Sequence, residues 1–209
     1  MAQPRFITLE GGEGTGKSTQ ARRLVAALQS HAISAIVTRE PGGSPGAESI
    51  RKLLVEGEQG RWDPLTETLL MFAARSDHIR NTIKPAMASG KWVVCDRFTD
   101  STYAYQGVGR GLDRETIRRI EAVSVGDFKP DLTLMLDLPV ETGLARAKAR
   151  RGAEDRFEKF GAEFHEKLRT AYRDIAIRNG DRCILLDAGG NEDDVGNAIW
   201  KAVADKFEL

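Results

Sequence analysis

The chain of 209 residues, 41% hydrophobic and 30% charged, is long enough for one well-buried core and too short for two, so one domain over 1–209 is expected. Lys plus Arg and Asp plus Glu number 31 each, so no global field favours nucleic acid or a membrane surface as partner, and any positive charge that matters is local. The opening MAQPRFITLE carries no apolar leader core, and no run reaches the roughly 18 apolar residues of a membrane span; the expected location is the cytoplasm.

In chain order, five apolar or β-branched runs read as strands: 5–10 (RFITLE), 35–40 (AIVTRE), 91–96 (KWVVCD), 131–138 (DLTLMLDL) and 182–188 (RCILLDA). Between them, three- and four-residue apolar spacing predicts helices over 17–30, 45–56, 64–89 with a break near Pro85, 101–107, 113–125, 140–151, 160–179 and 191–207. The alternation predicts an α/β fold, a mainly parallel five-stranded sheet with helices on both faces. Cys95 and Cys183 fall inside strand-like runs and are expected as packed thiols; His31, His78 and His165 lack ligand spacing. Phe160, Phe164, Leu168, Tyr172 and Ile175 form one helical stripe, expected as core packing.

Ligands of such sheets lie at the carboxyl ends of the strands, where GGEGTGKS, TREPGG, CDRFTDS and LDLPV all fall. Gly11-x-x-x-x-Gly16-Lys17-Ser18 matches the P-loop pattern in full, directly after a strand and before a helix. Its glycines let the backbone curl around a phosphate, its N–H groups and the helix N-terminus face the anion, Lys17 reaches the outer phosphates, and Ser18 suits Mg²⁺. Two strand-end carboxylates qualify as the metal's other partner, Asp96 and Asp137; Asp137 precedes a helix opened by Pro139, so Asp96 is preferred.

A P-loop alone does not separate kinases from GTPases, but the guanine-reading N-K-x-D element is absent from the sequence. Arg39, Arg75 and Arg97 converge on the same sheet edge and together predict a second anion site, since guanidinium forks pair bidentately with phosphate. Phe72, Tyr103, Tyr105 and Gln106 supply flat faces and polar tips suited to a base and sugar. Two anion sites beside one base pocket describe a nucleotide kinase with a monophosphate acceptor.

FITLEGGEGTGKSTQ, TREPGG, LLMFAAR, IKPAMASGKWVVCDRFTDSTYAYQGVGRG and DFKPDLTLMLDL, in this order and at these separations, resemble the bacterial thymidylate kinase family over about residues 5–160. The resemblance implies a homodimeric P-loop kinase that uses ATP and Mg²⁺ to convert dTMP to dTDP. It implies ATP contacts from Gly11, Gly12, Glu13, Gly14, Thr15, Gly16, Lys17, Ser18 and Thr19, with Arg146 and Arg156 from a basic lid at about 146–158. Glu13 would meet the 3′-hydroxyl of the acceptor sugar, which explains an acid inside a phosphate cradle. Arg39 and Arg97 would hold the acceptor phosphate, Arg75 would meet the base edge near Ser101, Thr102 and Gln106, and Tyr105 would exclude a 2′-hydroxyl.

The family stacks the base on an aromatic four residues before the equivalent of Arg75; here Met71 stands there and Phe72 one place later. Either the thioether lies against the base or the helix is rotated to bring Phe72 there. Eukaryotic relatives carry a basic residue inside the P-loop where this chain has Gly14, so the cation on the transferred group is expected from the lid. Arg151, just before the hinge candidate Gly152, is the expected donor, with Asp155 orienting Arg156 or the acceptor. The alternatives are a kinase for another nucleoside monophosphate, or a P-loop protein that binds ATP without transferring phosphate.

Overall fold

The computed structural model describes residues 3–58, 60–149, 157 and 160–209. The strands β1 (Phe6–Gly11), β2 (Ala35–Arg39), β3 (Trp92–Asp96), β4 (Leu132–Asp137) and β5 (Cys183–Asp187) form one parallel sheet in the order β2-β3-β1-β4-β5. The central strands β1 and β3 are buried along their whole length, as a strand covered on both faces must be, whereas the edge strands β2 and β5 alternate buried and more exposed positions. Because β3 and β4 flank β1 on opposite sides, the crossover direction reverses at β1, and the crevice beyond its carboxyl end is where the P-loop begins.

Alternation along β1 sends Ile7 and Leu9 into one core and Phe6 into another. Beneath the first lie α1 (Lys17–Ser30) and α9 (Glu192–Phe207), whose Leu24, Leu28, Val195, Ile199 and Val203 meet Val94, Leu134 and Leu136 of the sheet. On the opposite face α8 (Ala162–Arg178) packs Leu168, Ala171 and Tyr172 against Met135 and Cys183. Four residues of the expected stripe, Phe164, Leu168, Tyr172 and Ile175, are core packing, whereas Phe160 precedes α8 and stacks on Phe164; both cysteines are buried free thiols. The phase that points Phe6 inward also buries Thr8 and Glu10; Thr8 shares a 2.8 Å hydroxyl hydrogen bond with Thr133.

The remaining helices are α2 (Pro45–Val55), α3 (Pro64–His78), α4 (Lys84–Ala88), α5 (Thr99–Thr102), α6 (Arg114–Ser124) and α7 (Val140–Ala149). Asp63 caps α3 by accepting from the N–H groups of Leu65 and Thr66, with Pro64 in the first turn. The break expected near Pro85 takes a specific form: a π-helical turn, Ile79–Ile83, joins α3 to α4. Pro85 offers no N–H and its ring crowds the preceding turn, and widening the helix there lets the chain continue without a sharp bend. The expected helix at 101–107 is likewise α5 running into a π-helical segment, Tyr103–Gly109. Among the described residues no helix is long and apolar enough to cross a membrane.

Candidate functional site

The P-loop leaves β1 at Gly11 and enters α1 through Gly16, whose left-handed backbone takes the N-cap position. Gly14 also has positive φ, 69°, and a Cβ there would collide with the carbonyl of Gly143 on α7. The bare loop therefore has a steric reason: α7 packs too closely for a side chain at residue 14. Lys17 is buried beneath the loop, donating to Gly12 O at 2.6 Å and to Thr15 Oγ1 at 3.2 Å. Burial, aided by the neighbouring Arg97 charge and opposed by Glu13, Asp96 and Glu10, lowers its pKa to about 8. Thr19 sits in the first turn of α1, its hydroxyl accepting from Arg22 at 3.4 Å.

At the end of β3, Asp96 Oδ2 accepts from the Ser18 hydroxyl, while its buried Oδ1 has no hydrogen-bond partner among the described residues. A serine hydroxyl beside a carboxylate with an unused acceptor is the hard-oxygen donor set that Mg²⁺ prefers. The other candidate, Asp137, is committed to α8: Arg169 holds both its oxygens at 2.8 and 2.9 Å and Arg173 adds a 3.1 Å contact. The Arg169 hydrogen bonds hold its carboxyl below the ordinary range.

A cleft of about 570 Å³ runs from Lys17 and Ser18 past Arg97 to Met71, Thr102 and Gln106. Arg97 follows β3 directly and holds a left-handed backbone, φ 72°, uncommon for a side-chain-bearing residue and a mark of a tightly held position. Its Nη1 donates to Gly11 O at 2.9 Å, Ser101 Oγ at 3.1 Å and the Tyr172 hydroxyl at 2.9 Å, and its Nη2 to Glu13 Oε1 and the Tyr105 hydroxyl, both at 3.0 Å. Burial pushes the Glu13 carboxyl up, but Arg97, Lys17 and the Tyr105 hydroxyl at 2.6 Å outweigh it, and the pKa falls to about 2. Glu13 is thus an ionised group between the lysine and the arginine. Arg39 lines the same cleft, half-exposed and paired with Glu48 at 3.2 Å.

Arg75 is 2% exposed, and three of its five N–H donors are engaged: Nε to Glu40 Oε2 at 2.6 Å, Nη1 to Thr102 Oγ1 at 3.1 Å, Nη2 to Phe98 O at 3.0 Å. His78 Nδ1 lies 2.9 Å from the other Glu40 oxygen, and its Nε2 lies 2.7 Å from Thr38 Oγ1. Phe72 needs correction as a base-facing residue: it is 1% exposed, beneath the Arg75 guanidinium at 4.7 Å, and Met71 lines the cleft instead. Residues 71 and 75 share a helical face at four-residue spacing, and Phe72 is turned about 100° away. Tyr103 also turns from the cleft, donating to Glu121 on α6 at 2.5 Å. Arg146 lies beyond the β5 end, donating to the carbonyls of Ala188 at 3.1 Å and Gly189 at 3.4 Å. Arg151, Gly152, Asp155 and Arg156 lie outside the described residues.

Sequence reasoning missed four residues that build the site. Tyr172, taken only as core, turns its hydroxyl to Arg97 and Ser101. Glu10 accepts from the N–H of Phe98 at 2.7 Å and the hydroxyl of Ser101 at 2.6 Å, fixing the turn that carries Arg97. Burial and Asp100 raise the Glu10 pKa to about 7. Glu40 and Glu67 are buried behind Arg75 and Gln106.

The Thymidylate kinase family model matches residues 9–199. A thymidylate kinase of Caulobacter vibrioides is 54% identical over 209 residues, 100% of both chains, and one of Bradyrhizobium diazoefficiens is 52% identical over 97% of this chain and 90% of its own. The crystal structure of thymidylate kinase from Ehrlichia chaffeensis superposes with a TM-score of 0.75 at 33% identity, covering 96% of this chain and 98% of that one. With a P-loop and the side chains of Arg39, Arg75 and Arg97 lining one cleft, this chain belongs to the thymidylate kinase family.

Proposed function

We propose that the cleft transfers the γ-phosphoryl group of ATP to the 5′-phosphate of dTMP, giving dTDP and ADP, the activity named in its relatives. The observation that carries this reading is that Lys17 and Arg97 line one cleft with ionised Glu13 between them. Two anions laid end to end would meet a cation each, and Glu13 would accept from a sugar hydroxyl. The P-loop N–H groups and Lys17 hold the ATP phosphates, and Arg97 with Arg39 holds the acceptor phosphate. No strong general base is needed, because the attacking oxygen already belongs to a phosphate anion; positioning and charge neutralisation carry the reaction.

Ser18 and Asp96 suit Mg²⁺, which when bound would neutralise charge on the outer phosphate oxygens. Arg151 supplies the remaining positive charge from a lid at about 146–158, with Arg146 and Arg156 supporting ATP. Tyr105 presses on the sugar, and Ser101, Thr102, Arg75 and Gln106 surround the base. We further infer a homodimer working in the cytoplasm as one domain. A coupled assay tests the reading: ADP release that requires dTMP supports it, and equal release without an acceptor, or with another nucleoside monophosphate preferred, overturns it.

A further inference from the structure

Gln106 stands on the π-helical segment, 1% exposed, in the wall of the cleft. A side-chain amide turned end over end keeps its shape and exchanges a donor for an acceptor, so its orientation decides what it offers a ligand. Here Gln106 Nε2 donates to Glu67 Oε1 at 2.9 Å. Glu67, 0% exposed on α3, takes Arg110 Nη1 on its other oxygen at 2.8 Å, and Arg110 is anchored to Trp62 O at 2.7 Å. A carboxylate paired with an arginine only accepts, so the NH₂ end of Gln106 is held toward Glu67. The carbonyl end, Oε1, takes no hydrogen bond among the described residues and is not among the buried unpartnered atoms.

We propose that Glu67 is a positioning residue that locks the Gln106 amide with its acceptor toward the base, and so selects a pyrimidine with an N–H at ring position 3. A 4-amino pyrimidine brings a lone pair to that position, acceptor against acceptor, and is rejected. This rests on the reading of the cleft as the dTMP subsite. Discrimination built on a buried hydrogen bond is strong, because the wrong partner leaves a desolvated acceptor unpaired. Arg75, held by Glu40, Thr102 and Phe98, meets ring position 4 independently of Glu67.

The test compares kcat/KM of the full chain for dTMP and for 5-methyl-dCMP, which keeps the sugar, phosphate and methyl group and alters only the edge in question. In Glu67→Gln the new amide can turn its own N–H toward Gln106 and free it to flip. The dTMP preference is expected to fall at least about tenfold, with kcat at saturating dTMP changed less than about threefold. Arg110→Lys, which loosens the same cluster but keeps the Glu67 acceptor, is expected to leave the preference within about threefold of wild type. An unchanged preference in folded Glu67→Gln, or an equal fall in Arg110→Lys, overturns the proposal. Should Glu67→Gln not fold, Gln106→Met decides: it removes the acceptor, and an undiminished preference there overturns the proposal as well. Wild-type protein that releases no ADP with dTMP would instead sink the underlying reading.

Discussion

Lys17 is charged below about pH 8 and neutral above it, against an ordinary value of 10.5, because burial opposes the ammonium more than the nearby carboxylates favour it. Polyphosphate favours the charged form. The sign follows: above about pH 8 the free protein has lost the proton that binding needs, so binding takes one up and weakens as pH rises. Calorimetry of ATP binding in buffers of different ionisation heat is expected to show proton uptake that grows between about pH 7 and 9, and Lys17→Met is expected to abolish it. Tyr172→Phe removes one hydroxyl contact to Arg97 and another to Ser101 while leaving the ring in the core. Steady-state kinetics are expected to show the KM for dTMP raised about tenfold with kcat nearly unchanged.

At this scale the sequence was legible wherever a residue type and its spacing imply one task. Gly16, Lys17 and Ser18 have no common alternative reading; Asp96 was preferred over Asp137 because Pro139 follows the latter, whereas the Arg169 pairing of Asp137 is a separate fact that only the fold supplies. Tyr172 was half legible: its apolar spacing placed the ring, but a buried tyrosine also needs a partner for its hydroxyl, and that partner lies 75 positions away. Glu40 and Glu67 were invisible because charged residues are ordinarily assigned to solvent, and only the fold brings arginine and amide donors to them. The four-residue interval joining Glu67, Met71 and Arg75 was the available signal for which α3 face meets the cleft, and it would have replaced Phe72 by Met71.

Elements were the most readable level. A strand buried on both faces reads as a short continuous apolar run and a helix with one apolar stripe leaves a period, so β1 to β5 and the long helices fall close to their expected bounds. The π-helical turns were not readable, since widening a helix by one residue per turn leaves no compositional mark; the one after α5 carries Tyr105 and Gln106. The contact between the P-loop and α7 was also hidden, because it depends on two glycines, Gly14 and Gly143, whose backbones approach closely. A Cβ on Gly143 would strike the carbonyl of Glu13. Gly143→Ala is therefore expected to destabilise the fold by about 1–3 kcal/mol and to raise the KM for ATP more than that for dTMP, checked by thermal melting and two-substrate kinetics.

For the whole molecule, charge is the organising quantity. A chain with equal numbers of acidic and basic side chains has no net field to draw anions in, yet it concentrates Lys17, Arg39, Arg75 and Arg97 around one cleft and tempers them with Glu13, Asp96 and Glu40. Phosphoryl transfer needs one more cation at the group in flight, and the P-loop has no room for it at Gly14. The basic stretch at 146–158 is the source we propose. Arg151→Ala is expected to lower kcat at least about a hundredfold while leaving dTMP affinity near wild type, measured by coupled assay and direct titration.

The most direct measurement is a crystal structure with dTMP and a non-hydrolysable ATP analogue bound together. The account predicts the analogue's outer phosphate over Lys17 and the acceptor phosphate on Arg97, the two phosphates facing each other above Glu13. A pyrimidine nucleotide bound elsewhere, or its phosphate turned away from the P-loop, would contradict it.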